Sequence, residues 1–212
     1  GPLRTTIRRH STRGLAALDS SRPDSEAQAF LEELRHVFGE HRSSCVLIGG
    51  VAVNFWREPR FTTDLDFIVA AEPHVISEVA ERLHAAGFVT TREQAGELAS
   101  GPDFLQLVKP GTNRRVEFQS AKTPFQEQVI KRGVSDGNAA FFLVATPEDL
   151  IVLKLIASRS KDRGDLLELG QIEGLDWSYI EHWAGIWQVS GRLEQLHAML
   201  AEEEQRRRDL FA

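Results

Sequence analysis

The stretch Leu47-Ile48-Gly49-Gly50-Val51-Ala52, followed after a short spacer by Arg60-Phe61-Thr62-Thr63-Asp64-Leu65-Asp66-Phe67, decides how the rest of the chain is read. On a strand, residues two apart share a face, so Asp64 and Asp66 present their carboxylates together while Leu65 and Phe67 turn into the core. The two acids then stand about 6–7 Å apart along the strand. Close like charges resist joint ionisation unless a cation lies between them. Mg²⁺, hard and oxygen-seeking and itself a ligand of triphosphates, resolves that conflict.

The glycine pair has a separate task. It leads from a buried strand over 45–48 into a helical stretch over 51–56, and a Gly-Gly turn there lets backbone N–H groups approach an anion at a helix N-terminus. A triphosphate could rest on it. A site for two metal ions generally wants a third carboxylate, and Val116-Glu117-Phe118 supplies one between apolar neighbours. Asp64, Asp66 and Glu117 are therefore the candidate metal set, with Glu117 either a ligand or the base.

Working outward, the segment 1–23 is polar, rich in Arg and without apolar period, and reads as a mobile arm. Ser25 and Gln28 form a capping-box pattern ahead of Phe30, Leu31, Leu34, Val37 and Phe38, the stripe of an amphipathic helix that Gly39 ends. A strand is predicted over 63–69 and a helix over 75–86, with Ile76, Val79, Ala80 and Leu83 on one face and Gly87 at its end. The runs 104–109 and 114–119, separated by Pro110-Gly111-Thr112-Asn113, predict a β-hairpin, and 139–144 predicts a further strand. Thr146-Pro147 then offers an N-cap and a first-turn proline, and the pattern is helical from there on. The reading is an α/β (α+β) fold: 24–145 a domain with a mixed sheet flanked by helices, 146–212 a C-terminal helical region.

Composition narrows the function. A net charge of −6 argues against a protein that coats nucleic acid non-specifically, because such affinity comes from neutralising phosphates with Lys and Arg. The seven histidines include no i,i+4 pair and no Cys/His cluster, which argues against zinc. No run of about 18 apolar residues suggests a membrane span, and the N-terminal charge lacks a signal's apolar stretch, so a cytoplasmic location is expected. Cys45, the sole cysteine, lies in an apolar run and reads as a buried thiol.

One downstream segment adds to the site. Lys154 emerges among Leu150, Ile151, Leu153, Leu155 and Ile156, so its ammonium needs an anionic partner, for which a triphosphate would serve. If that helix continues, Lys154, Ser158, Lys161 and Asp165 form one polar stripe; Lys161 and Asp165 could equally be a plain surface ion pair. Thr62 shares a strand face with Asp64 if the strand reaches back that far, as a phosphate ligand or a modification point whose added charge would block the site.

Gly-Gly, a spacer, Asp-x-Asp and a distal acidic strand residue resemble the minimal signature of the DNA polymerase β nucleotidyltransferase superfamily. More narrowly, Arg60-x-Thr62-x-Asp64-x-Asp66 and Pro147-Glu148-Asp149-Leu150…Lys154…Lys161-Asp162…Asp165 resemble the AbiEii/MenT toxin nucleotidyltransferases of type IV toxin–antitoxin systems, over roughly residues 45 to 170. A departure is Glu at 117 where Asp is commoner. The resemblance implies a polymerase-β-like core and a magnesium-dependent enzyme, with two Mg²⁺ ions expected. It implies an NTP substrate, a pyrimidine for preference, and a nucleotide site comprising Gly49, Gly50, Arg60, Thr62, Thr63, Lys154, Ser158, Lys161 and Asp165. It further implies transfer of a nucleoside monophosphate to the 3′ end of an RNA acceptor, tRNA first among candidates, a toxin role and a cognate antitoxin. The rivals are an antibiotic (aminoglycoside or lincosamide) nucleotidyltransferase, an enzyme that modifies a protein partner, and an inactive binding module.

Two further features have plain and functional readings. Trp177, Trp183 and Trp187 stand at near-helical spacing, as core packing or as a base-stacking platform. Arg206-Arg207-Arg208 complement a helix dipole, or join Arg4, Arg8, Arg9 and Lys131-Arg132 in a phosphate-binding rim.

Overall fold

A computed structural model of the chain describes residues 25–57, 64–70, 73–91, 104–135 and 142–210. Helix α1 (Ser25–Phe38) and a 3₁₀ turn (Gly39–Ser44) lead into β1 (Cys45–Ile48). Then come α2 (Gly49–Trp56), β2 (Asp64–Ala70), α3 (Pro73–Ala85), β3 (Val89–Thr90), the hairpin β4 (Phe104–Val108) and β5 (Arg115–Ala121), α4 (Pro124–Arg132) and β6 (Leu143–Val144). Helices α5 (Pro147–Ala157), α6 (Asp162–Gly170), α7 (Trp177–Ile186) and α8 (Ser190–Leu210) follow. The six strands form one mixed sheet in the order β3-β4-β5-β2-β1-β6, flanked by helices, as the fold class predicted.

Alternation sets the register of the central pair. Strand β2 runs parallel to β5 with Phe67 opposite Phe118 and Asp66 opposite Glu117. Leu65, Phe67, Val116 and Phe118 are buried. Phe67 and Phe118 join Phe38 of α1 and Phe142 in an aromatic cluster with ring centroids 4.8 to 5.9 Å apart. A slip of one residue would turn these rings to the polar face, so the core that pays for folding also aims the acids. Truncating one such ring to Ala should cost about 3–5 kcal/mol.

The predicted hairpin and the helix at 75–86 form with boundaries moved by a residue or two. Two elements escaped the sequence reading. Helix α4 was announced by a full capping box, Thr123 with Gln126, and by Pro124 in its first turn. Strand β3 is only two residues long, too short for any periodicity to show. Of the strand predicted over 139–144, the described part is β6, and residues 139–141 lie outside the described residues; so does the segment 1–23. No described helix is long and apolar enough to cross a membrane.

The region from 146 is helical as expected, but the helix that would have to continue past Ser158 for the polar stripe to form stops there. Ser158 caps α5 in the left-handed conformation, φ 52°, and α6 starts afresh at Asp162. The polar stripe predicted on an unbroken helix therefore does not form. Helix α5 packs against α2, α6 and α7, and α6 also packs on α2, so the broken helices sit behind the glycine turn. Trp56 at the end of α2 donates from Nε1 to the Ala145 carbonyl at 2.9 Å, tying the two regions together.

A buried polar knot joins α4, α5 and α7. Asp149 accepts from Tyr179 Oη at 2.5 Å and from Thr146 Oγ1 at 2.8 Å, while Arg132 lies 3.4 Å from it and 4.0 Å over the Tyr179 ring. Burial still pushes the Asp149 carboxyl up, against the bonds from Tyr179, Thr146 and Arg132. This placement corrects the phosphate-rim reading for Arg132, whose charge is spent on Asp149 and Glu148. Arg206, Arg207 and Arg208 likewise pair with Glu203 and Glu204 along α8. Of the tryptophans only Trp183 is buried; Trp177 lies 4.6 Å from the His197 ring, and Trp187 is 37% exposed.

Candidate active site

The polar face of the central strands gathers the predicted acids. Asp64 and Asp66 leave β2 on the side opposite Leu65 and Phe67, and the β2/β5 register sets Arg115 beside Asp64 and Glu117 beside Asp66. Asp66 and Glu117 share a side-chain hydrogen bond. The Asp66 carboxyl is pushed up to about 7, first by burial, then by the charge of Glu117 and that hydrogen bond, then by Asp64. Asp66 therefore takes up and releases its proton around neutral pH. Arg115 stands 3.7 Å from Asp64 Oδ1 and 3.6 Å from Glu117 Oε1, and Gln106 of β4 donates from Nε2 to Glu117 Oε1 at 2.6 Å.

The glycine turn belongs to the same place. Ile48, the last residue of β1, lies opposite Asp66, and Gly49 follows with φ +70°, a conformation that L side chains rarely adopt. A Cβ added at Gly49 would come within 1.9 Å of Asp66 Oδ2. Space as well as conformation therefore demands glycine, and the link between the Gly-Gly and Asp-x-Asp motifs is a direct backbone-to-carboxylate contact. Helix α2 begins here with no side-chain cap, so its positive end faces the acids.

Whether this set suits a divalent ion turns on its donors. They are three carboxylates, hard oxygen ligands. Among the described residues no group of three or more His, Cys, Asp or Glu stands in finished ligand geometry. Arg115 stands within ion-pair distance of both Asp64 and Glu117. The donor chemistry, three hard carboxylate groups on one face of the sheet, is of the kind that suits a divalent ion.

Lys154 has a different neighbourhood from the one expected. It is buried, and its Nζ bonds Asp162 Oδ1 at 3.0 Å and Asp165 Oδ2 at 2.6 Å. The anion its charge needed comes from α6, made reachable by the break at Ser158. Ser158 and Lys161 are exposed at the joint, and Asp165 is buried on Lys154. Arg60, Thr62 and Thr63 lie outside the described residues.

The sequence reading missed Arg159. Its Nε bonds Asp162 Oδ2 at 2.8 Å, while the side chain remains 53% exposed. The guanidinium is held more firmly protonated, chiefly by the Asp162 bond, with the charges of Asp66 and Glu117 adding to it. Burial pushes the Asp162 carboxyl up, but its bonds from Arg159 and Lys154 bring it lower overall. A chain of contacts thus runs from Lys154 through Asp162 to an exposed cation that feels the charges of Asp66 and Glu117. The available signal was Arg159 between two lysines in a segment already singled out, but the unbroken-helix assumption placed it off the stripe.

A mixed sheet whose central strands carry Asp-x-Asp beside a glycine turn, with a third acid on the next strand, has the layout of a nucleotidyltransferase. The chain belongs to the family described as "Nucleotidyltransferase of unknown function (DUF6036)", which it matches over residues 27–202. No curated protein matches it. Among solved structures it is similar to the antibiotic-resistance factor ANT(2'')-Ia in solution, at 14% identity and TM-score 0.45, over 87% of this chain and 95% of that one. A crystal structure of ANT(2")-Ia in complex with adenylyl-2"-tobramycin aligns at 13% identity and TM-score 0.45, over 85% and 98%. JHP933 from Helicobacter pylori aligns at 13% identity and TM-score 0.43, over 88% and 99%.

Proposed function

We propose that this nucleotidyltransferase moves a nucleoside monophosphate from an NTP to the 3′ end of an RNA, a tRNA first among candidates, as the toxin of a toxin–antitoxin pair. The observation that carries the chemistry is the convergence of Asp64, Asp66 and Glu117 against the Gly49 backbone, with Arg159 facing them. The choice of acceptor, the toxin role and the cognate antitoxin rest on the resemblance of the Arg60-to-Asp66 and Lys154-to-Asp165 motifs to the AbiEii/MenT enzymes.

In this reading Asp64, Asp66 and Glu117 hold divalent ions, Mg²⁺ by preference. Bound there, such ions supply charge for the triphosphate and lower the pKa of an acceptor hydroxyl. The chain's own groups do the rest. The Gly49-Gly50 backbone, open at the start of α2, receives phosphate oxygens. Arg159 offers a planar guanidinium to the same phosphates, and its anchorage on Asp162 spares part of the ordering cost. Lys154 enters as a positioning residue, setting Asp162 and through it Arg159.

The test is to incubate the protein with each labelled NTP, Mg²⁺ and total RNA, and in parallel with aminoglycosides, lincosamides and a protein extract. Labelled tRNA is the expected result. Labelled drug or labelled protein overturns the acceptor assignment, and no labelled product of any kind overturns the transferase reading. Mass spectrometry of Thr62 with and without the partner protein tests the separate expectation of modification there; an unmodified Thr62 in both ends it.

A further inference from the structure

We infer that Gln106 is a positioning residue for Glu117, fixing the third carboxylate without neutralising it. This rests on the reading of Asp64, Asp66 and Glu117 as a divalent-ion site.

The two residues are direct partners in the β4/β5 register, so both side chains rise on the same face of the sheet. A carboxylate accepts hydrogen bonds and cannot donate when ionised, so the amide must present its NH₂ to Glu117 Oε1, at 2.6 Å. The Gln106 main chain is anchored as well, since its carbonyl accepts from the Thr91 N–H at 3.3 Å. The clamp therefore hangs from paired backbone on both sides.

Glutamate makes such a clamp necessary. Its side chain has one more rotatable bond than aspartate, and a carboxylate free to turn must be ordered at the moment it takes a ligand. Gln106 carries that ordering beforehand. Its chemical type matters too. Arg115, which also faces Oε1 at 3.6 Å, brings a positive charge that competes with an incoming cation. The amide of Gln106 is neutral, so it orients the carboxylate and leaves the negative charge for the metal. Groups that orient a ligand in this way typically govern metal affinity about as strongly as some of the ligands do.

The experiment is a double-mutant cycle read by Mn²⁺ binding, followed by electron paramagnetic resonance on the full chain, with no turnover involved. Gln106→Met keeps the length and removes the donor; Gln106→Thr, well suited to a strand and too short to reach, is the second variant should the first unfold. Each should lower Mn²⁺ affinity by about tenfold. Glu117→Gln should lower it at least as far, and the Gln106→Met, Glu117→Gln double variant should match Glu117→Gln alone within about twofold, since a clamp has no effect once its ligand is gone. Wild-type affinity in both folded Gln106 variants, or losses that multiply in the double variant, would overturn the inference. If Glu117→Gln itself leaves Mn²⁺ binding unchanged, the metal-site reading beneath it fails instead.

Discussion

Two acidic clusters lie near one another in this fold, and they are built on opposite terms. At Lys154, the carboxylates of Asp162 and Asp165 are buried but answered by a buried ammonium and, for Asp162, by Arg159 as well. At the strand face, Arg115 stands 3.6 to 3.7 Å from Asp64 and Glu117, Gln106 bonds Glu117, and burial and the crowding of like charge push Asp66 up to about 7. The first cluster spends its charge within the protein. In the second, like charges crowd one another instead, the kind of perturbation that clusters at functional sites.

That contrast predicts where mutations act, beginning with the largest effect. Asp66→Asn should lower nucleotidyl transfer by about 10³-fold, since metal-mediated stabilisation of transition-state charge is worth several kcal/mol. The same change should leave the metal-free protein as stable as wild type or more so at pH 8. The sign follows from linkage. The Asp66 carboxyl is raised in the folded state from an ordinary value of 3.8 to about 7, so between those limits the native state holds the extra proton. The Asp66 contribution to stability in EDTA should therefore be fully present below about pH 4, be lost as pH rises toward 7, and level off above it. Asp66→Asn should flatten that slope in denaturant titrations across the range, and a slope that persists would locate the proton elsewhere.

Lys154→Met tests the other cluster. It leaves Asp162 and Asp165 buried without their ammonium and should cost about 3–5 kcal/mol, seen as a large drop in melting temperature. If Lys154→Met instead melts like wild type and loses only activity, the ammonium serves the substrate directly and the comparison fails. Gly49→Ala lies between the clusters. A Cβ there meets the Asp66 carboxylate in a backbone conformation unfavourable to alanine, so a cost of about 1–3 kcal/mol is expected, with weaker Mn²⁺ binding. The smallest effect on activity should come from the Asp149 knot, whose partners Tyr179, Thr146 and Arg132 belong to neither cluster. Tyr179→Phe removes one hydrogen bond to a buried carboxylate and should cost about 1.5–3 kcal/mol in urea unfolding with transfer activity unchanged per folded molecule.

Much of the strand-face cluster could be read in one dimension because its logic is local. Two-residue alternation set Asp64 and Asp66 against Leu65 and Phe67, and a glycine pair after an apolar run announced a tight turn into a helix. The Lys154 cluster could not be read this way. Its partners depend on a break at Ser158, and serine carries no strong stop signal of the kind glycine or proline gives. Helix α4 was just as legible as the strand face, its capping box and first-turn proline lying within Thr123-Pro124-Phe125-Gln126.

Local periodicity and turn chemistry, then, were enough to determine most of the helices and strands around the motifs and the shared face of Asp64 and Asp66. Tertiary structure alone decided that β5 would lie parallel to β2 with Glu117 beside Asp66, that Gly49 would press on the Asp66 carboxylate, and that Lys154 would spend its charge on α6. The physical reason is distance along the chain: alternation and capping act over a few residues, whereas register and ion pairing between elements are settled only when the Phe38, Phe67, Phe118 and Phe142 rings pack and bring remote segments into contact.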